Sequence, residues 1–231
     1  MYCIANMRYA IADIHGCFET FRTMVEEHIQ LKQTDELYLL GDYVDRGPDS
    51  KAVLDYIENL REQGYAISLL RGNHDQMLLD AYNHASPLAT DQWLYNGGKS
   101  TLDSYGITRI EDMPQEHIRL LEHSVFFKEL DDYWLVHAGF NLQSTNWQED
   151  TYAMLWDREE MWDAAALKNK PIIHGHTPTP VTQTEEDIRR NKPVISIDTG
   201  CVYTQYTNMG HLTCLCLDDQ TLITIANLEV P

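Results

Sequence analysis

Glu36-Leu37-Tyr38-Leu39-Leu40-Gly41-Asp42-Tyr43-Val44-Asp45-Arg46-Gly47 passes from an apolar run into a turn carrying two carboxylates and an arginine between glycines. The same layout recurs along the chain. Asp13-Ile14-His15-Gly16, Gly72-Asn73-His74-Asp75, His137-Ala138-Gly139 and Gly175-His176-Thr177 each follow a short apolar segment and set Asp, Asn or His beside a glycine. Short apolar runs bounded by glycine read as buried strands. In open α/β sheets, ligands gather beyond the carboxyl ends of the strands, where every block falls. Together the blocks hold enough oxygen and nitrogen donors for two metal ions, with an acid and an arginine besides. That is the inventory for metal-assisted phosphoester hydrolysis.

Outward from this stretch, strands and helices alternate. Arg8–Ala12 reads as a strand. Cys17–His28 carries Phe18, Phe21 and Val25 at helical spacing. Glu36–Leu40 is the second strand. Pro48-Asp49-Ser50 opens a helix with Val53, Ile57 and Leu60 on one face and Gly64 as its stop. Ala66–Leu70 is the third strand, and the βαβαβ order predicts parallel pairing. Gln76–Leu130 differs: it is mostly helical, rich in Asp, Glu and His, without a clear strand, and reads as an insert over one sheet edge. Strands resume at Tyr133–Val136, Pro171–Ile173 and Val194–Ile197. His211–Leu217 and Thr221–Ala226, joined by Asp218-Asp219-Gln220, read as a terminal hairpin. Thr182–Lys192 reads as a solvated polar loop.

Composition narrows the class. The 231 residues fit one domain (residues 1–231) with a sizeable core; 43% are hydrophobic and 23% charged. No apolar run reaches the ~20 residues of a membrane helix, and the N-terminus lacks a signal-peptide layout. Residues before Arg8 read as a short extension, with Met7 an alternative start to Met1. A net charge of −19 repels phosphate backbones. The expected setting is therefore cytoplasmic, with neither nucleic acid nor membrane as partner. The five cysteines, Cys3, Cys17, Cys201, Cys214 and Cys216, are odd in number and show no CxxC. They read as buried free thiols.

Each block has a chemical reading. Asp13 and His15 are spaced to aim at one spot. The Asp42 carboxylate suits a bridge between two metals. Arg46 has the fork that matches phosphate oxygens. Asn73 offers a neutral oxygen ligand. His74 titrates in the range needed to protonate a leaving alkoxide, with Asp45 as its orienting carboxylate. His137 and His176 suit the second metal. Without thiolate, the donor set suits two divalent ions, Mn²⁺ first, with Fe or Zn²⁺ as alternatives. His174, two residues before His176, reads as a structural histidine at a strand end. The five tryptophans read as packing.

Gly41–Gly47 and Leu70–Asp75 resemble the signature of calcineurin-like metallophosphoesterases. Arg46, and Pro178 where other branches carry a further histidine, resemble the phosphoprotein phosphatase branch. Trp93–Leu102, with Ser104-Tyr105, is similar to the helical insert of its bacterial members. Leu155-Trp156-Asp157-Arg158 resembles their second-arginine block, and Ile197-Asp198-Thr199-Gly200 their C-terminal strand end. The resemblance covers residues 8–226. It implies an α/β fold, a two-sheet sandwich flanked by helices (four layers, αββα), with a helical insert over about 76–130. It implies Asp13, His15 and Asp42 on one metal and Asp42, Asn73, His137 and His176 on the other. His74 would be the acid oriented by Asp45, and Arg46 and Arg158 would bind phosphate. The implied activity is a metal-dependent phosphatase hydrolysing phosphoserine or phosphothreonine in proteins, or a small phosphoester, by direct attack of a metal-bridging hydroxide. The alternative is symmetrical dinucleoside tetraphosphate hydrolysis, in relatives sharing the core motifs. A non-catalytic scaffold fits poorly, because every ligand is present. Asp75 stands where eukaryotic members carry Glu, which argues against a eukaryotic-type substrate preference.

Overall fold

The computed structural model describes residues 6–84, 86–159 and 161–229. Met1 and Cys3 lie outside the described residues, as does the side chain of His84.

The first sheet has the order β3-β2-β1-β8-β9: Arg8–Ile11 (β1), Glu36–Leu39 (β2), Ala66–Leu69 (β3), His211–Cys216 (β8) and Leu222–Ala226 (β9). β1, β2 and β3 are parallel, in a register that sets Ile11 opposite Leu39 and Leu39 opposite Leu69. Their carboxyl ends are therefore level, and the turns after them open side by side. β8 runs antiparallel to β1, and β9 antiparallel to β8, as the hairpin pattern predicts. The second sheet, β4-β5-β6-β7, holds Phe127–Glu129 (β4), Trp134–Val136 (β5), Ile172–His174 (β6) and Val194–Ser196 (β7). Its last three strands are parallel and β4 pairs antiparallel with β5.

Period-two alternation makes the layers. Ala10, Tyr38, Leu40, Leu135, Ile173, Ile195 and Leu215, from both sheets, form one buried cluster between them. Tyr9, Ile11, Leu37, Leu39 and Leu69 face outward beneath Phe18–Thr23 (α1), Ser50–Glu62 (α2), Asn73–His84 (α3) and the later insert helices. Trp134, Val136, Ile172 and Val194 face the other way, onto Phe140, Met154 and Leu167. The result is the four-layer αββα sandwich. Helix α2 begins where expected: the Asp49 carboxylate accepts from the Ala52 amide at 2.9 Å, a helix N-cap.

Two segments differ from expectation. The insert comprises α3, Pro87–Trp93 (α4), Lys99–Tyr105 (α5) and Gln115–Glu122 (α6), but Phe127–Glu129 leaves it as edge strand β4. Thr182–Lys192 is not a loop: Val181–Arg189 is a helix (α8), following Thr151–Trp156 (α7). It packs on β7, where the Thr184 hydroxyl donates to the Ser196 carbonyl at 3.1 Å.

Candidate dimetal centre

The turns at the strand ends carry unusual backbone. Asp13, His15, Asp42, Asp45, Arg46 and His176 all have positive φ, between 22° and 71°. Non-glycine residues seldom adopt this region, and each costs of order 1 kcal/mol. Its concentration at one cluster marks a place where side-chain aim overrides backbone preference. The glycines beside them allow close passage. A Cβ on Gly72 would lie 2.1 Å from Asp42 Oδ1, and one on Gly47 would lie 1.9 Å from the His15 carbonyl oxygen.

Two buried groups have ligand atoms within 4.8 Å of one another: His15, Asp42 and His74, and Asp42, His137 and His176. Asp42 is common to both. His15 Nε2 lies 3.4 Å from Asp42 Oδ2, and His137 Nε2 lies 3.6 Å from the same oxygen. Asn73 Oδ1 is 3.0 Å from His137 Nε2 and 3.0 Å from His176 Nδ1. Asp13 sits at the edge, its two oxygens accepting from the His176 amide at 3.0 and 3.2 Å.

These residues fit metal ions. His15 Nδ1 donates to the Val44 carbonyl and His137 Nδ1 to the Leu40 carbonyl, each at 2.9 Å. That fixes the tautomers and leaves each Nε2 lone pair facing the centre. Arg46 Nη1 donates to the His15 lone pair at 2.7 Å, a contact that an ion held by His15 would replace. Burial keeps the imidazoles neutral, lowering His15 well below its ordinary value, His137 to about 3 and His176 to about 2. Burial also pushes Asp13 and Asp42 well above the usual carboxylate range, Asp13 further by Asp198 and Asp42 by Asp75. Neutral nitrogen donors around crowded buried carboxylates are what a cation would relieve.

His74 is held differently. Its Nδ1 lies 2.8 Å from Asp45 Oδ2, and both groups are almost fully buried. Burial raises Asp45 to about 7, against the Thr101 and Trp93 donors, and burial with Arg46 lowers His74 to about 2. The donors around Asp45 favour its carboxylate form, which lets His74 Nδ1–H donate to it. Against the expectation that His74 titrates near its ordinary value, burial and Arg46 hold its ring neutral here, and the Asp45 carboxylate behind it is the partner on its Nδ1 side that favours the charged form.

Arg46 lies with its guanidinium carbon 5.5 Å from the Tyr203 ring centre. Exposed Arg158 bears on His137, His176 and Asp198, and shares a small cavity with His174. His174 Nδ1 is tied to the Gly175 carbonyl at 2.9 Å, and this residue is not in either donor group.

Sequence reasoning missed two residues here. Asp75 faces no opening: it is fully buried and accepts from the amides of Asp42 (2.9 Å), Tyr43 (3.1 Å) and Gly72 (2.9 Å). Its carboxylate thus holds the two loops together. Asp198, buried beside Asp13 and raised by burial to about 6, adds a further carboxylate. Its place after an apolar strand was the available signal.

The sequence pattern of the calcineurin-like phosphoesterases matches residues 9–203. The chain is 33% identical over 208 residues to serine/threonine-protein phosphatase 1 of Salmonella typhimurium, covering 84% of this chain and 87% of the relative. It is 39% identical to a symmetrical bis(5'-nucleosyl)-tetraphosphatase of Buchnera aphidicola over 75 residues, 32% of this chain and 26% of the relative. A solved protein serine/threonine phosphatase from Saccharomyces cerevisiae superposes with a TM-score of 0.67 at 16% identity, covering 98% of this chain and 81% of that one. The chain therefore belongs to the calcineurin-like phosphoesterases. Its chemistry is phosphoester hydrolysis, in a family that depends on two metal ions. No helix among the described residues is long and apolar enough to cross a membrane.

Proposed function

We propose that the protein removes single phosphates from phosphoserine or phosphothreonine in proteins, with Mn²⁺ the first choice of metal. Asp13, His15 and Asp42 would hold one ion, and Asp42, Asn73, His137 and His176 the other. Two ions there would supply positive charge to the phosphoryl oxygens and a water acidified enough to attack phosphorus directly. Arg46 and Arg158 clamp the remaining phosphate oxygens. His74, steadied by Asp45, gives its proton to the leaving serine or threonine oxygen.

The observation that carries the substrate choice is the scarcity of cations. Among the described residues, Arg46 acts on Asp13 and Asp42 and Arg158 on His137 and His176, on a chain of net charge −19. Two guanidiniums and two metals match one phosphate; a tetraphosphate bridge needs more. Similarity over most of its length to a relative named as a serine/threonine phosphatase supports the same reading. Matches to symmetrical tetraphosphatases support the alternative, over about a quarter to under half of those proteins. The test is kcat/KM for a phosphoserine peptide and for diadenosine tetraphosphate at one Mn²⁺ concentration. The peptide should be preferred. A tenfold preference for the dinucleotide, about 1.4 kcal/mol, overturns the choice.

A further inference from the structure

The insert segment Trp93-Leu94-Tyr95-Asn96-Gly97-Gly98-Lys99-Ser100-Thr101 lies 48 to 56 residues beyond Asp45, yet converges on it. Trp93 Nε1–H donates to both Asp45 oxygens, at 2.9 and 3.1 Å. The Thr101 hydroxyl donates to Oδ1 at 2.7 Å and accepts from the Asp45 amide at 2.9 Å. Ser50 Oγ accepts from the same amide at 3.1 Å. The Arg46 amide donates to the Gly97 carbonyl at 3.3 Å. Trp93, Gly97 and Gly98 fit together to bring these groups in. Trp93 is fully buried. Gly98 lies so close to its indole that a Cβ there would be 2.4 Å from Cε2. Gly97 takes a φ of 113°, and a Cβ on it would crowd Arg46 Cγ at 3.0 Å.

Asp45 and Arg46 sit at φ 71° and 70°, a strained pair that its own turn does not favour. The insert supplies what holds it. Trp93 bridges both Asp45 oxygens and Thr101 holds Oδ1, which steadies Oδ2 for its hydrogen bond with His74. A proton donor displaced by even about 1 Å can lose on the order of 10²-fold in rate.

We infer that Trp93 and Thr101 are positioning residues for proton donation: through Asp45 they set the aim of His74, and the insert thereby belongs to the catalytic apparatus. This rests on His74 and Asp45 being the acid pair proposed above.

The test compares a phosphoserine peptide, whose alkoxide needs a proton, with p-nitrophenyl phosphate, whose leaving group needs little. Thr101→Val keeps the volume of threonine and removes its hydroxyl; Thr101→Ser restores the hydroxyl. Trp93→Phe removes the indole donor. His74→Asn is the reference. Thr101→Val should lower kcat on the peptide about tenfold and on the aryl phosphate about threefold or less, a fraction of the 10²–10⁴ a general acid contributes. Thr101→Ser should stay within about twofold of wild type on both. Trp93→Phe should behave as Thr101→Val where it folds, and Thr101→Val decides the matter where it does not. Equal losses on the two substrates, no loss, or failure of Thr101→Ser to rescue would overturn the inference while leaving the acid assignment standing if His74→Asn discriminates between substrates. Equal loss in His74→Asn overturns the acid assignment itself, and this inference with it.

Discussion

Replacing Asp75 by alanine tests the loop architecture directly. Its carboxylate is the acceptor for three buried amides, those of Asp42, Tyr43 and Gly72, and so ties the end of β2 to the end of β3. A buried donor left unsatisfied costs about 1–3 kcal/mol. Losing the carboxylate also removes its own burial cost, which is what raises it to about 6. The net loss should therefore lie at the low end, about 3 kcal/mol. For a chain of 231 residues, an unfolding entropy of about 2.1 cal/mol/K per residue gives about 0.5 kcal/mol/K, so Tm should fall by roughly 6 °C. Asp75→Asn should lose less, because one oxygen can still serve the Asp42 and Gly72 amides that share Oδ2. Calorimetry on chelated protein isolates this effect from stabilisation by bound metal. A Tm within about 2 °C of wild type for Asp75→Ala would refute the claim that this carboxylate holds the two loops together.

Asp42→Ala should remove the bridging ligand, lower metal content at both positions and reduce turnover by orders of magnitude; two metals per chain by elemental analysis would count against the assignment. Arg46→Ala and Arg158→Ala should each raise KM, lower kcat and weaken inhibition by free phosphate. Unchanged phosphate inhibition in both would place them outside the site.

The parallel strands were legible because each is an apolar run ended by a glycine-bearing turn, and the positions of the site residues followed from the same punctuation. Strand β4 was not. Phe127-Lys128-Glu129 is three residues long and at a sheet edge, and one partner strand suffices to define it. Helix α8 escaped because its buried positions are Thr184 and Asp187, which give no apolar period. Asp75 looked like part of a reactive block, and only coordinates show it turned onto backbone amides. Trp93 read as packing because a buried indole commonly is; its N–H meets a carboxylate 48 residues earlier, a pairing no local pattern announces.

β1, whose end carries Asp13 and His15, lies between β2 and β8. On one side its partner is made within some thirty residues; on the other, Tyr9 waits for Cys216. During synthesis, at about 5–20 residues per second, the strand that leads into Asp13 and His15 meets one partner early and the other only once β8 has been made. Completion of the sheet that carries the first three turns is thus left to the β8–β9 hairpin. Asp13, His15, Asp42, Asn73, His137 and His176 all precede, in chain order, the strand that completes the first sheet beside them.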